Sequence, residues 1–209
     1  MINTIAISGD KVFAATYTNG VIINSTITIG GGRIYFAESR NATARSQPTG
    51  RITSTTLWQD LYLVALDAGS GTQLWQQPLT NIAVAPYPAV FFLSYTAEKL
   101  LLTSSTSQFY LYALNAQNGA ALWQKNHAWI RNNHGGHMYH PVIVSNTVYL
   151  EPYAYDVTAG TVVKSNLPTR AGCSTMSAAG NMIHTVQQNY DSAAICFWDL
   201  GTDQRRQMV

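Results

Sequence analysis

An internal repeat constrains the fold of this chain more than any other feature of its sequence. Residues 61–76 (LYLVALDAGSGTQLWQ) align without gaps on residues 109–124 (FYLYALNAQNGAALWQ), and nine of the 16 positions are identical. A third, weaker copy follows at residues 153–163, and a fourth begins at Phe197. Because repeats of roughly 20–50 residues are typical of solenoids and propellers, we expect each copy to be one structural unit that stacks on the next.

Each copy has the sequence of a tight β-hairpin. An apolar strand ends at Asp67 or Asn115, whose short side chain can accept hydrogen bonds from its own turn. A glycine four residues later supplies the positive φ that the turn needs, and the next strand carries Leu-Trp. The Trp ring is expected to fill the gap between neighbouring sheets. The structural repeat residues are therefore Asp67, Gly71 and Trp75 in the first copy, Asn115, Gly119 and Trp123 in the second, and Asp156 and Gly160 in the third.

The rest of the chain has the same β character. Short runs rich in Val, Ile, Tyr, Phe and Thr alternate with Gly, Asn, Asp and Ser, and a further hairpin precedes each copy. The sequence therefore predicts an all-β fold, a partial β-propeller of about four four-stranded antiparallel blades. Both ends read as interrupted β structure, so we expect one incomplete propeller domain, 1–209, within a larger protein. The expected blades are residues 1–29 (partial), 30–84, 85–131, 132–168 and 169–209.

Composition excludes several classes of protein. Charged residues make up 11% of the 209 residues and the formal net charge is +2, so the chain lacks the basic excess of a nucleic-acid-binding protein. No apolar run approaches about 18 residues, which argues against a membrane-spanning helix. The first residues do not have the pattern of a signal peptide. For Cys173 and Cys196, a disulfide and two buried thiols both remain open.

The pattern Leu-Tyr-x-x-Ala-Leu-Asp-x-x-x-Gly-x-x-Leu-Trp at residues 61–75, with its second copy at residues 109–123, resembles the tryptophan-docking motif of the pyrroloquinoline-quinone (PQQ)-like β-propeller repeat family. This family belongs to the quinoprotein alcohol dehydrogenase-like superfamily. The resemblance is partial in the third copy, where Lys164 stands in the Trp position. It implies a repeat protein in an extracytoplasmic location, either periplasmic or secreted. The superfamily holds both enzymes and a non-catalytic lipoprotein of outer-membrane assembly, so the fold does not fix the function.

Two functions follow from this resemblance. The first is a non-enzymatic segment that acts as a ligand- or protein-binding scaffold in a larger bacterial protein, with no catalytic residues. Its partners would be the remaining blades or fused domains, and a protein or small-molecule ligand. The alternative is part of a PQQ-dependent quinoprotein oxidoreductase. The enzymes of the family hold PQQ beside a calcium ion, and many have adjacent cysteines; this chain has no Cys-Cys pair.

A histidine cluster offers a second alternative, a metal site. His134, His137 and His140 have the spacing His-x-x-His-x-x-His, and His127 lies nearby in the sequence. Neutral imidazoles are good ligands for transition metals, which makes such a metal the other cofactor to consider beside PQQ. The competing interpretation is a polar loop whose histidines hydrogen-bond backbone groups. In a glycine-rich loop the three rings can converge, whereas on one strand they cannot.

Two further segments are interpreted as connections. Gly30-Gly31-Gly32 is followed by neither the Lys-Ser/Thr nor the helix of a phosphate loop, and is expected to form a turn between blades. Residues 38–56 are polar and contain Arg40, Arg45 and Arg51. They are expected to form a loop inserted between the strands of one blade, with binding potential because loops carry binding surfaces.

Overall fold

A computed structural model gives the fold of the chain. It describes residues 4–8, 11–15, 19–47, 54–82, 90–105, 108–128, 140–167, 176–189 and 192–208. The architecture is mostly β, with four-stranded antiparallel sheets arranged as blades, as the sequence predicted. A two-stranded hairpin precedes these sheets and consists of β1 (Thr4–Ser8) and β2 (Lys11–Ala15).

Four larger sheets follow in chain order, each built from consecutive strands. Sheet 1 contains β3 (Val21–Ile22), β4 (Thr28–Gly30), β5 (Arg33–Ser39), β6 (Leu61–Asp67) and β7 (Gln73–Pro78). Sheet 2 contains β8 (Val90–Thr96), β9 (Lys99–Ser105), β10 (Gln108–Asn115) and β11 (Ala121–Ala128). Sheet 3 contains β12 (Val142–Val144), β13 (Thr147–Leu150), β14 (Tyr153–Asp156) and β15 (Val162–Lys164). Sheet 4 contains β16 (Ser177–Ala179), β17 (Met182–Asn189), β18 (Ser192–Asp199) and β19 (Gln204–Met208).

The first strand of sheet 1 is interrupted, and its two halves β3 and β4 both pair with β5. A 3-10 turn at Asn24–Thr26 separates them. The buried Thr26 replaces the lost strand hydrogen bonds, because its Oγ1 donates to the oxygen of Ile23 at 2.6 Å and accepts from the nitrogen of Ala37 at 2.8 Å. Residues 21–30 therefore complete the four-stranded pattern of sheet 1, although we expected them in the segment before it.

The described residues form two compact units, one within residues 1–106 and 110–124 and the other within 107–109 and 125–209. In the first unit, buried apolar side chains of β5, β6, β8 and β9 form one core cluster, which includes Tyr35, Leu63, Phe91 and Leu102. In the second unit, sheets 3 and 4 share a core that includes Tyr149, Ile183 and Trp198. The inner strands of sheet 1 are apolar along continuous runs, so one face of each contributes to the core of the first unit and the other face to a second cluster with Ile34, Phe36 and Val64.

The described residues contain little helical structure. The α-helix α1 (Ala42–Arg45) and a 3-10 turn at Thr55–Trp58 both lie between β5 and β6. In the part of the chain that can be described, no helix is long and apolar enough to cross a membrane.

Candidate functional site

The same tight turn ends the third strand of every sheet. In each turn, a side-chain oxygen of the anchor residue accepts a backbone N–H from within the turn at 2.7–2.8 Å: Asp67 from Ser70, Asn115 from Gln117, Asp156 from Thr158 and Asp199 from Gly201. The residue four positions after the anchor has a positive φ: Gly71 at 73°, Gly119 at 74°, Gly160 at 68° and Asp203 at 56°. The Ser70 backbone N–H is the largest cause of the lowered pKa of Asp67. The turn thus recurs in sheet 4 with Asp203 in place of glycine, a position that the sequence comparison missed.

Trp75 links the last strand of sheet 1 to the turn of sheet 2. Its Nε1 donates to the backbone oxygen of Ala116 at 3.2 Å, and Arg33 Nη1 donates to the same oxygen at 3.3 Å. The Trp75 ring lies against Gly119, and its centroid is 6.0 Å from that of the buried Tyr35. We call this contact of Trp75 with Ala116 and Gly119 the tryptophan dock. Trp123 is partly buried at the corresponding position of β11.

Two glycines with the same backbone conformation allow the dock to be tested. A Cβ on Gly119 would lie 2.7 Å from Gln77 Cγ and 2.8 Å from Trp75 Cζ3, whereas a Cβ on Gly71 would meet no atom within 4 Å. The φ angle is 73° at Gly71 and 74° at Gly119. Alanine therefore carries the same backbone penalty of about 1–2 kcal/mol at each position. We expect Gly119→Ala to lower the free energy of unfolding by about 1–3 kcal/mol more than Gly71→Ala, as for other overpacked sites.

Urea denaturation of the two glycine variants measures this difference directly. Equal losses in Gly119→Ala and Gly71→Ala would mean that the Trp75 ring moves away freely, and would contradict a tight dock.

Tyr95 explains the run of three glycines. A Cβ on Gly30 would lie 1.9 Å from the Tyr95 ring, which stacks on Tyr35 with centroids 5.8 Å apart. The Tyr95 hydroxyl donates to the carboxylate of Glu98, and burial together with this carboxylate raises the pKa of Tyr95 to about 12. Gly31 and Gly32 have positive φ and connect β4 to β5 within sheet 1. The expectation of a turn between blades is therefore wrong, because the glycines bend a hairpin and admit a ring from sheet 2.

The connection between β5 and β6 is much longer than the equivalent connections in the other sheets, and residues 48–53 of it lie outside the described chain. It occupies residues 40–60, because β5 continues to Ser39 and β6 begins at Leu61. Two residues separate the equivalent strands in each other sheet: 106–107, 151–152 and 190–191. The predicted insertion within one blade is thus present, with its bounds shifted from 38–56. We call residues 40–60 the insertion.

Specific contacts hold both described parts of the insertion, residues 40–47 and 54–60. At its start, the Asn41 side chain caps α1 by accepting the backbone N–H groups of Thr43 at 3.0 Å and Ala44 at 3.3 Å. At its end, Trp58 packs edge-on against Phe91 with ring centroids 6.2 Å apart. A capped helix and an apolar ring contact therefore fix the two described parts of the insertion.

Arg40 joins the insertion to β5, β6 and β7 of sheet 1. Its guanidinium is 2.7 Å from a carboxylate oxygen of Glu38, which is fully buried, and it donates to Gln76 Oε1 at 2.6 Å. The same guanidinium lies 3.9 Å above the centre of the Tyr62 ring. Glu38 is a strand residue and not part of the loop. Gly20 makes room for it, because a Cβ there would lie 2.4 Å from Glu38 Oε2.

His127 has both ring nitrogens in hydrogen bonds. Nε2 lies 3.0 Å from the backbone oxygen of Glu151, and because a carbonyl only accepts, Nε2 carries the hydrogen. Nδ1 then accepts from the Tyr155 hydroxyl at 2.8 Å. Burial lowers the pKa of His127 and raises that of Tyr155 to about 12. The ring centroids of Phe109 and Tyr153 lie 5.5 and 5.2 Å from that of the imidazole. His127 is therefore held inside an aromatic cluster.

The metal and cofactor hypotheses depend on residues that are mostly outside the described part of the chain. His134 and His137 lie outside it, and so does Cys173, whereas His140 is exposed. Cys196 lies in β18 opposite Thr185. The described residues contain no group of three His, Cys, Asp or Glu side chains that could hold a metal ion. The site at His134, His137 and His140, PQQ binding and the pairing of the cysteines stay predictions.

Comparison with solved structures supports the propeller fold. The chain is similar to BamB from Moraxella catarrhalis, with 15% identity and a TM-score of 0.61, over 97% of this chain and 62% of that chain. It is also similar to the Pan2 WD40 domain of Neurospora crassa, with 11% identity and a TM-score of 0.55, over 95% of this chain and 61% of that chain. The chain therefore spans less than two thirds of the length of both structures. Identities this low establish the fold alone.

Comparison with protein families gives a more specific result. None of the curated proteins is a significant match to this sequence. A family model, PQQ_2, described as outer membrane protein assembly factor BamB, matches residues 3–207 and so nearly the whole chain. This match agrees with the repeat read from Asp67 to Trp75 and with the docked geometry of Trp75. The chain belongs to the PQQ_2 family of PQQ-like propeller repeats.

Proposed function

We propose that this chain is a non-enzymatic scaffold that binds a partner protein through the insertion on sheet 1. The observation that carries this proposal is the length of residues 40–60, where the other three sheets use two-residue connections. A long loop carried by a sheet is a common way to build a binding surface. The name of the matching family, an assembly factor, also favours protein binding over catalysis.

The composition of the insertion favours an acidic partner surface. It contains Arg40, Arg45 and Arg51 and a single acidic residue, Asp60. Arg45 lies on the exposed side of α1, close in sequence to the exposed Ala42 and Thr43. Positive charge at the rim of an interface accelerates association with a negatively charged surface and selects against basic ones.

We propose a cellular location and structural partners for this scaffold from the comparisons with known proteins. The family model is that of an outer-membrane assembly factor, and we place this protein outside the cytoplasm of a bacterium. The chain spans 62% of the BamB structure, so the intact protein would supply further blades or fused domains as structural partners. Fractionation of cells that produce the intact protein tests its location.

Site-specific photocrosslinking tests the binding surface. A photoreactive amino acid at Ala42, in the intact protein within its own cells, is expected to yield a crosslink to one partner. Ala159, exposed on the turn of sheet 3, is the matched control position. Once the partner is purified, Arg45→Glu is expected to weaken binding about tenfold, mainly through slower association, whereas Lys125→Glu on the exposed face of β11 should have little effect. Unchanged affinity in Arg45→Glu would refute the role of the insertion.

The alternative function, part of a PQQ-dependent oxidoreductase, makes a different prediction. Equilibrium binding of PQQ with calcium to the intact protein, together with dye-linked alcohol oxidation, would replace the scaffold proposal. Elemental analysis of protein purified without chelator, compared with a His137→Ala variant, tests the metal site at His134, His137 and His140 separately.

A further inference from the structure

Sheet 3 lacks the tryptophan that, in the first copy of the repeat, connects sheet 1 to sheet 2. Trp75 stands eight residues after the anchor Asp67, and Lys164 stands eight residues after the anchor Asp156. Lys164 is the last residue of β15, as Trp75 lies within the outer strand β7. A cation therefore occupies the position at which the first copy places an indole ring.

The residue that Lys164 meets has changed as well. Its Nζ forms an ion pair with Oδ1 of Asp203. Asp203 takes the turn position that Gly119 holds in sheet 2, with a φ of 56° against 74°. Trp75 packs on Gly119, and Lys164 pairs with Asp203, so both members of the contact differ together. Asp tolerates a positive φ better than most residues, which makes this exchange sterically feasible.

A tryptophan is still present at the contact between sheets 3 and 4, but it belongs to sheet 4 and not to the outer strand of sheet 3. Trp198 lies on β18 of sheet 4 and is 3% exposed. Its Nε1 donates to Oδ1 of Asp203 at 2.8 Å, and Lys164 Nζ lies 4.4 Å from the centre of its ring. The Asp203 carboxylate is thus held by an indole N–H and an ammonium group at once.

The two kinds of contact differ in their response to salt. The Lys164 and Asp203 side chains are 32% and 64% exposed, so dissolved ions screen their attraction. The contact of Trp75 with Gly119 and the Ala116 carbonyl consists of packing and a neutral hydrogen bond, which salt affects little. Tyr149 packs edge-on against Trp198 with centroids 5.7 Å apart, so the core between sheets 3 and 4 remains when the ion pair is screened.

We propose that Lys164 and Asp203 form an ionic clasp, an ionic-strength-sensitive contact between the outer strand of sheet 3 and the last turn of sheet 4. The turn at residues 199–203 opens locally when salt screens the clasp, while the turn at residues 115–119, held by the tryptophan dock, stays closed. This conformational property does not depend on the proposed binding function, and a separate experiment tests it.

Hydrogen exchange measured by mass spectrometry tests the clasp in the full chain. The peptide that covers residues 199–203 is expected to exchange about two- to fivefold faster at about 1 M NaCl than at about 0.02 M, after correction for intrinsic rates. The peptide that covers residues 115–119 serves as the internal control and should show no such change. An equal salt response in both peptides would overturn the proposal.

Three variants separate the clasp from a general effect of salt. Lys164→Met keeps the length of the side chain without its charge, and Asp203→Asn keeps the shape and the tolerance of a positive φ. Both are expected to exchange fast at low salt and to lose the salt response at residues 199–203. Lys99→Met, which alters a lysine on sheet 2 whose Nζ donates to the Ala97 oxygen, should leave that response intact. A wild-type salt response in Lys164→Met would refute the clasp.

The double variant Lys164→Trp/Asp203→Gly rebuilds the residue types of the tryptophan dock at this junction. Its 199–203 peptide is expected to exchange at one rate at both salt concentrations, no faster than wild type at low salt. A wild-type salt response that persists in this double variant would mean that the response does not come from Lys164 and Asp203, and would overturn the proposal.

Discussion

Trp75→Ala is expected to lower the free energy of unfolding by about 3 kcal/mol, near the lower end of the range for large aromatic residues because Trp75 is only partly buried. The change removes the hydrogen bond from Nε1 to the Ala116 oxygen and the packing of the ring on Gly119 and Tyr35. Urea denaturation of the full chain, followed by Trp fluorescence and far-UV circular dichroism, measures the loss.

The residue beside Trp75 provides the control. Leu74 is 45% exposed on the same outer strand, and Leu74→Ala should cost under about 1 kcal/mol. Trp75→Phe keeps an aromatic ring without the N–H donor. It should lower the free energy of unfolding by about 1 kcal/mol relative to wild type, the value of one hydrogen bond. A loss in Trp75→Ala as small as that in Leu74→Ala would show that the indole does not hold the two sheets together.

The repeated turn could be predicted from sequence because its chemistry is local. An Asp or Asn anchor, a glycine four residues later and a following Leu-Trp pair specify one hairpin with few alternatives. The structure has this turn at Asp67, Asn115 and Asp156. The fourth turn was harder to recognise because Asp203 replaces glycine, and a positive φ at Asp cannot be read from residue type alone.

Contacts between sheets were less predictable, because each depends on a residue far away in the sequence. Nothing near Gly30 indicates that the Tyr95 ring will lie against it. In the sequence, Lys164 only marks a repeat position that lacks its tryptophan, and the structure adds that it pairs with Asp203. His127 illustrates the same limit, since its hydrogen bonds reach Tyr155 and the Glu151 backbone, which are 28 and 24 positions away in the sequence.

The pairing of Arg40 with Glu38 predicts the second large effect, in Arg40→Ala. The Glu38 carboxylate is fully buried, and the guanidinium of Arg40 lies 2.7 Å from one of its oxygens. Arg40 is 20% exposed, but its loss removes the guanidinium that faces the buried Glu38 carboxylate, and breaking a buried ion pair by removing one member typically costs about 3–5 kcal/mol. We therefore expect a loss of this size in the free energy of unfolding at neutral pH, measured by urea denaturation.

A double variant distinguishes the loss of the ion pair from the loss of packing by the Arg40 side chain, which also lies over Tyr62. Glu38→Gln/Arg40→Ala removes both charges while keeping a side chain of the same shape at position 38, and should recover at least about 1 kcal/mol relative to Arg40→Ala. Arg45→Ala, on the exposed side of α1, is the matched arginine control and should stay within about 0.5 kcal/mol of wild type. If the double variant is as unstable as Arg40→Ala, the cost comes from packing on Tyr62, and the Glu38 charge is not what holds Arg40 and the insertion in place.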